Sequence, residues 1–296
     1  MDLKKMIFYG VQFRWQRVKG IIGRFTMPRP KVMDSIQTIR KIREEGCSIA
    51  RLGDGEFNLI YGQKIGFQNA NDELAKELKR VLLQSNPKCL IGIPDVFGSL
   101  SDYRTDSRHF WESYLGRNRK KMLLCLNMST TYANTNVTRF QTGYRDKQYT
   151  LNVINELKSI WRDKELVFIE GEKTRLGVGN DLFAGARQIE RVLVPATNAF
   201  EKRMIIIDWV RLNISKDKLV ILACGPTATI IALKLCEEGF QALDLGHIDI
   251  QYEYFLKGIT KKQAIKGKYV NESVELISEE EILDEKYNAE IITKLI

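Results

Sequence analysis

The sequence predicts an α/β fold of the Rossmann-like type, with a mainly parallel sheet and helices on both faces. Short apolar runs of strand length alternate with longer stretches of helical periodicity, which is typical of βαβ units. Strands joined by such crossovers are covered on both faces of the sheet. No repeat interrupts the alternation, and 296 residues supply enough apolar material for a sizeable core. We therefore expect one α/β domain.

The predicted elements follow one another after Pro28–Pro30, a segment typical of a linker. The first helix, Asp34–Glu45, has Asp34 or Ser35 as its candidate N-cap. Apolar runs predict strands at Ser48–Leu52, Cys89–Ile93, Met122–Leu126, Leu166–Ile169, Arg191–Val194, Leu219–Ala223 and Ala242–Leu245. Helical periodicity predicts the remaining helices at Asp72–Gln84, Asp106–Leu115, Tyr149–Trp161, Ala199–Arg211 and Thr227–Glu238.

Segments of different composition flank this domain, which we place at residues 31–268. Residues 1–30 form a basic amphipathic N-terminal segment. Its apolar residues recur near helical spacing among Lys and Arg, and residues 1–27 contain no acid after Asp2. Such a helix can contact an anionic membrane surface, pack on the chain's own core or join a second subunit. The tail at residues 269–296, rich in Glu and Ile, is expected to be an accessory helical segment.

The composition indicates the cellular compartment and the classes of partner to expect. The formal charge of +9 suits a polyanion, a membrane face or a phosphorylated substrate. Nucleic acid is not expected, because the basic residues are dispersed and no nucleic-acid module is recognisable. No apolar stretch approaches the roughly 20 residues of a membrane span, and no signal-peptide cleavage pattern is present. Five cysteines without CxxC spacing predict reduced thiols in a cytoplasmic protein, not a disulfide framework or a zinc site.

An acidic pair directly after the first predicted strand is the clearest indication of chemistry. Asp54 and Glu56 lie one residue apart, and such carboxylates can ligate Mg²⁺ or Mn²⁺ that carries a diphosphate. Gly53 and Gly55 let the backbone approach a ligand closely, and Arg51 adds a positive charge. The alternative interpretation is a solvated turn, since Gly-Asp-Gly is also ordinary turn chemistry.

Other loops should meet this pair, because ligands bind beyond the carboxyl ends of parallel strands. Lys173 and Arg175, in the loop after Leu166–Ile169, can neutralise a diphosphate or be exposed loop charges. The turn Cys224-Gly225-Pro226-Thr227 can offer N–H groups and a helix dipole to a phosphate. It lacks GxGxxG and P-loop spacing, so a purely structural turn is equally compatible.

A proton acceptor is expected in the segment Gly246–Glu253. A paired or partly buried side chain there can be tuned toward neutral pH. Asp249 is the first candidate catalytic base and His247 the second, with Glu253 nearby. A histidine at a strand end is also often a structural residue.

Taken in order, these motifs resemble the bacterial GT-D-type glycosyltransferases. The resemblance covers roughly Ser35 to Gly258. The runs that carry it are RLGDGEF at 51–57, EGEKTRLGVGND at 170–181, RVLVPA at 191–196 with NAF at 198–200, and CGP at 224–226 with GHID at 246–249.

The resemblance implies a glycosyltransferase that uses a nucleotide-diphosphate sugar, specifically a UDP-sugar-dependent hexosyltransferase. Its acceptor would be a glycan or glycoprotein in bacterial surface glycoprotein or polysaccharide assembly. The family's Asp-X-Glu motif, for metal and nucleotide-sugar binding, falls on Asp54 and Glu56, with Mn²⁺ or Mg²⁺ as the cofactor. A homo-oligomer is a further expectation. Two alternatives remain: another α/β transferase, such as a methyltransferase with a nucleoside cofactor at Cys224–Pro226, and a catalytically silent subunit of a glycan-assembly complex.

Overall fold

The strands of the protein form one parallel sheet. The computed structural model describes residues 3–265, 267–268 and 284–296. Its strands are β1 Lys31–Val32, β2 Ser48–Arg51, β3 Cys89–Ile93, β4 Thr131–Asn134, β5 Glu165–Gly171, β6 Gln188–Val194, β7 Leu219–Ala223, β8 Ala242–Asp244 and β9 Ile291–Lys294. Within these described residues their order is β1-β4-β3-β2-β8-β7-β5-β6-β9, and every neighbouring pair is parallel.

Helices connect the strands and cover the sheet. They are α1 Leu3–Thr26, α2 Ser35–Glu44, α3 Asp54–Ile60, α4 Asp72–Leu83, α5 Thr105–Cys125, α6 Phe140–Gly143, α7 Lys147–Ile160, α8 Arg203–Asn213, α9 Thr227–Glu237, α10 Ile248–Leu256 and α11 Glu285–Glu290. Short 3₁₀ turns occupy Thr135–Thr138 and Ala199–Lys202.

Local sequence explains where the helices begin and which face they bury. At the start of α2, the Asp34 carboxylate accepts from the Gln37 amide at 2.7 Å, and the Gln37 side chain accepts from the Asp34 amide at 3.1 Å. This capping box satisfies N–H groups that lack helical partners. In α4, the buried residues recur at helical spacing and form one apolar stripe. They are Leu74, Leu78, Val81 and Leu82.

Two hydrophobic cores lie on opposite faces of the sheet. One joins the sheet to α3, α4, α5, α8 and α9, and the other joins it to α2, α7 and α10. Because both faces are covered, the central strands consist mostly of buried apolar residues, as in parallel sheets generally. The predicted fold class is therefore confirmed.

Some predicted elements were wrong. Met122–Leu126 is not a strand but the last turn of α5 and its C-cap, with Met122 buried and Leu124 exposed as in a helix. A short apolar run cannot by itself distinguish a strand from a buried helix segment. The strands β1, β4 and β9 were not predicted.

The described part of the tail is also only partly helical. Glu285–Glu290 is a helix, but Ile291–Lys294 forms β9, which pairs with β6 at the edge of the sheet. The rest of the predicted tail, at 269–283, lies outside the described residues.

The two halves of the sheet meet at its centre, where the order in which the chain adds strands changes direction. β2 and β8 are neighbours, with Ile49 opposite Leu243. After β2 the chain enters α3, whose Phe57 packs in one core, and after β8 it enters α10, whose Ile248 packs in the other. The two connections leave toward opposite faces, which opens a crevice at the carboxyl ends of both strands. Open α/β sheets bind ligands at such a point.

Candidate active site

A cavity of about 560 Å³ lies over this crevice. This volume falls within the range of small-molecule sites, about 300 to 1,000 Å³. Segments from both halves of the sheet line it, so the site depends on the whole fold. The sequence-predicted residues among those lining it are Arg51, Gly53, Asp54, Gly55, Glu56, Gly225 and His247.

Asp54 and Glu56 occupy the first turn of α3, not the loop that the sequence suggested. Gly53 is the N-cap, and its amide donates to Glu56 Oε2 at 2.7 Å. This hydrogen bond fixes the Glu56 carboxylate beside the strand end. Both carboxylates line the cavity, so the solvated-turn interpretation does not describe their position.

The electrostatics of the pair favour a bound cation. Burial raises the pKa of Glu56 to about 7, the negative charges of Asp244 and Asp54 act in the same direction, and the Gly53 N–H opposes them. Holding several carboxylates ionised in one poorly solvated site is unfavourable without positive charge. A divalent cation would supply that charge.

The donor set fits a metal shared with substrate. Among the described residues, no group of three or more His, Cys, Asp or Glu side chains is arranged to hold a metal alone. Asp54 and Glu56 supply two carboxylates, and Mg²⁺-type ions commonly bind one or two carboxylates together with substrate phosphates and water. The residues present therefore fit a cation completed by a diphosphate.

Arg51, predicted to bind nucleotide, makes its described contacts to the protein. Its Nε donates to the Asp244 carbonyl at 2.5 Å and its Nη2 to Asp244 Oδ1 at 3.0 Å. Its Nη1 donates to Thr138 Oγ1 at 2.6 Å. The guanidinium thus joins the ends of β2 and β8 to the turn after β4, and it positions the cavity wall.

The turn after β8 is shaped around that guanidinium. Gly246 has a φ of +50°, and a Cβ placed there would lie 2.5 Å from Arg51 Nη2. Glycine is required for both reasons. His247 follows directly as the N-cap of α10 and lines the cavity.

A similar constraint acts in the turn after β7. Gly225 has a φ of +63°, and a Cβ there would approach the Phe67 ring to 2.9 Å. Gly225 and Phe67 both line the cavity. Pro226 and Thr227, also predicted to contact nucleotide, are buried behind the turn and do not line it.

Asp249 is not placed to act as the catalytic base. It is buried and does not line the cavity. Its Oδ2 lies 2.5 Å from Lys268 Nζ, and its Oδ1 accepts from Asn180 at 2.7 Å. Glu253 joins the same cluster, 3.4 Å from Lys268 Nζ. Asp249 lies only two residues after His247, and residues at this spacing project from different sides of a helix, so His247 lines the cavity while Asp249 does not.

The β5 loop also departs from the prediction. Lys173 is exposed, and neither it nor Arg175 lines the cavity. The Arg175 guanidinium lies over the Tyr287 ring, 5.1 Å from its centroid. This segment contributes Gly171 and Thr174 to the cavity wall instead.

Several lining residues were missed by the sequence analysis. Asp244 was hidden inside a predicted strand, although an acid within an apolar run was a usable signal. Gly171, Thr174 and Ala196 lie within runs that carried the family resemblance but were not singled out. Further lining residues lie in the turn after β4, at the start of α5 and after α10, where the sequence has no recognisable motif. They include Thr135, Asn136, Arg139, Phe110, Trp111, Lys261 and Lys262.

Two curated streptococcal proteins are similar in sequence to this chain. The chain is 35% identical over 266 residues to the probable glycosyl transferase Gly of Streptococcus gordonii, covering 89% of this chain and 39% of that protein. It is 31% identical over 264 residues to the glycosyltransferase GlyD of Streptococcus pneumoniae, covering 88% of this chain and 32% of that protein. The chain thus spans less than half the length of these relatives.

Solved structures agree in fold. A conserved domain of unknown function 1792, described as having a distinct glycosyltransferase fold, matches with a TM-score of 0.84 and 32% identity, covering 96% of this chain and 99% of the other. A glycosyltransferase of the same domain type from Streptococcus sanguinis matches with the same TM-score and identity, covering 90% of this chain and 100% of the other.

The family assignment rests on a match that spans most of the chain. The family model described as the glycosyltransferase GT-D fold covers residues 49–273, which include β2 through β8 and every sequence-predicted site residue. The resemblance inferred from the ordered motifs is confirmed. The chain belongs to the GT-D-fold family of glycosyltransferases.

Proposed function

We propose that the chain is a metal-dependent glycosyltransferase that moves a sugar from a UDP-sugar to a glycan acceptor. The acceptor belongs to a bacterial surface glycoprotein or polysaccharide under assembly in the cytoplasm. The observation that carries this proposal is the pairing of Asp54 and Glu56 in the wall of the switch-point cavity, which His247 also lines. The family assignment weakens the methyltransferase alternative.

The donor diphosphate fits beside the acidic pair. Mn²⁺ or Mg²⁺ held by Asp54 and Glu56 would offset the charge that develops on the leaving diphosphate. Further positive charge lines the cavity at Arg139, Lys261 and Lys262. These side chains replace Lys173 and Arg175 as our candidates for diphosphate contacts. Gly225 also lines the cavity, and because glycine has no side chain, the backbone of this turn can approach the nucleotide closely.

The acceptor requires a base and a binding surface. His247 lines the cavity and can accept the proton of an attacking hydroxyl, because imidazole is the side chain that most often serves as a general base. On α5, Phe110 and Trp111 line the cavity with their rings 5.2 Å apart at the centroids. Apolar and aromatic walls with a few polar groups are typical of small-molecule sites. We assign this wall to the acceptor.

UDP binding with and without Mn²⁺ tests the donor site. Titration calorimetry of the full chain should give metal-dependent binding, which Asp54→Asn and Glu56→Gln each weaken by about tenfold or more. The matched control is Glu201→Gln, an exposed acid outside the cavity, whose affinity should not change. Metal-independent binding of equal affinity in all variants would falsify the metal assignment. A screen of UDP-sugars for release of UDP then separates an active transferase from a silent subunit.

A further inference from the structure

Helix α1 is fixed to the domain along one face. It packs on α5 where Gly20 meets Gly116. A Cβ on Gly20 would overlap the Glu112 carbonyl oxygen, and a Cβ on Gly116 would overlap the carbonyl oxygen of Gln16. Arg17 Nη2 also lies 2.9 Å from Glu112 Oε2. This close, reciprocal contact holds α1 in a defined rotation about its axis.

The opposite face of α1 carries a row of exposed apolar side chains, which we call the α1 stripe. Their spacing alternates between four and three residues, so they share one face of the helix. The row extends over about 21 Å at the rise of an α-helix. The α1 stripe consists of Val11, Trp15, Val18, Ile22 and Phe25, each between 45% and 75% exposed.

Positive charge borders the α1 stripe. Arg14 and Lys19 are exposed on its two sides by helical position, and Lys19 Nζ lies 5.4 Å from the Trp15 ring centroid. The sequence has no Asp or Glu from Leu3 to Met33. An apolar row with aromatic residues, bordered by basic and uncharged side chains without any acid, is the composition of helices that lie in the plane of an anionic bilayer.

We propose that the α1 stripe binds the headgroup region of an anionic lipid bilayer. The helix would lie on the membrane, since no helix in the described part of the chain is long and apolar enough to cross one. A second copy of the chain is a poorer occupant. Two α1 stripes facing each other would bring Arg14 and Lys19 against like charges, with no acid on either helix to pair with them.

The placement of α1 connects this surface to the cavity. α5 presents Glu112 and Gly116 to α1, while its first turns carry Phe110 and Trp111 into the cavity wall. Helix α5 therefore connects α1 directly to this wall of the cavity. The inference does not depend on the donor or metal assigned to the cavity.

Vesicle flotation tests the proposal with the full chain. The probes are vesicles of phosphatidylcholine alone and of phosphatidylcholine with an equal part of phosphatidylglycerol. We expect binding to the anionic vesicles, and Trp15→Ser combined with Phe25→Ser should lower the partition coefficient by about tenfold or more. Arg14→Glu combined with Lys19→Glu should lower it similarly at low salt and less at high salt.

Matched controls remove exposed residues of the same type elsewhere. Leu83→Ser combined with Leu212→Ser removes two apolar side chains that are 71% and 77% exposed, and it should leave partitioning unchanged. Lys64→Glu combined with Lys147→Glu, at exposed positions on other elements, controls for net charge. Circular dichroism confirms that each variant is folded, and UDP calorimetry reports the cavity independently.

Two outcomes would overturn the proposal. One is the absence of binding by the unmodified chain to anionic vesicles, or equal binding by the α1-stripe variant. The other is a stable dimer in light scattering that the α1-stripe substitutions convert to a monomer, without vesicle binding by either form. That result would assign the α1 stripe to a second copy of the chain.

Discussion

The loops after β2 and β5 are alike in sequence but differ in use. Both follow a buried strand, and both are rich in glycine and charge. The β2 segment places both of its carboxylates, Asp54 and Glu56, in the cavity wall, whereas the β5 loop contributes Thr174 to that wall and neither of its basic residues Lys173 and Arg175. Charge and glycine content therefore do not show which side chains of a loop reach the cavity.

Position in the sheet accounts for the difference. β2 neighbours β8, where the following helices leave toward opposite faces and a crevice opens. β5 lies between β7 and β6, and its loop runs directly into β6 without a helix. That loop is tied to the protein by Glu170, which accepts from the Leu176 amide at 2.6 Å and pairs with Arg191 at 2.6 Å.

The largest expected difference between the two loops is in catalysis. Asp54→Asn should lower kcat/KM about a thousandfold, because the charge that develops on the leaving diphosphate loses its stabilisation. Lys173→Gln should change it less than about twofold, since surface substitutions away from a site have small effects. Steady-state UDP release measures both. A large loss of kcat/KM in Lys173→Gln would mean that the Lys173 side chain contacts the substrate.

The two acid-base candidates near β8 give the next contrast. His247→Gln should lower kcat about a hundredfold, as expected for loss of a general base, with UDP affinity nearly unchanged. Asp249→Asn should mainly lower stability, because the buried Lys268 would lose the nearer of its two described acidic partners and keep only Glu253 at 3.4 Å. Kinetics and urea unfolding on both variants separate these roles. A kcat loss confined to Asp249→Asn would reverse the assignment.

The free energy of unfolding should depend strongly on the buried ion pair between Glu170, at the end of β5, and Arg191. Glu170→Ala leaves the buried Arg191 with Glu290 as its remaining described acidic partner, and it should cost about 3 kcal/mol of unfolding free energy. Glu165→Ala, on the same strand, removes a partly exposed carboxylate that lies 3.9 Å from Arg187 and 3.7 Å from Lys218, and it should cost less than about 1 kcal/mol. Urea denaturation measures both. Equal costs would mean that the buried pair contributes no more than the exposed one.

A smaller effect should appear in the turn after β8. Gly246→Ala should cost about 2 kcal/mol more than Gly258→Ala. Both glycines have positive φ, but only at Gly246 does a Cβ meet Arg51, while Gly258 has open space around it. Denaturant unfolding compares the two variants. If they cost the same, the contact with Arg51 adds nothing to the backbone strain.

The sequence was informative where the signal is local. Alternating apolar runs predicted β2, β3 and β5 to β8, and Asp54 with Glu56 was recognisable as a pair within three residues. The sequence was misleading where contacts between distant residues determine the role of a side chain. The partner of Asp249 is Lys268, 19 residues away, and the contacts of Arg51 lie on β8 and the turn after β4. The periodicity of apolar residues does not show which distant residues pair with each other. It therefore could not indicate that His247 lines the cavity while Asp249 is buried against Lys268.

The contacts that the Arg51 guanidinium makes also have an evolutionary consequence. Asp244 and Thr138 accept its hydrogen bonds, and Gly246 makes room for its guanidinium. A substitution at any one of these positions would leave the others mismatched, so drift should proceed through paired changes. In an alignment of relatives, we expect a side chain at position 246 mainly where position 51 is no longer arginine.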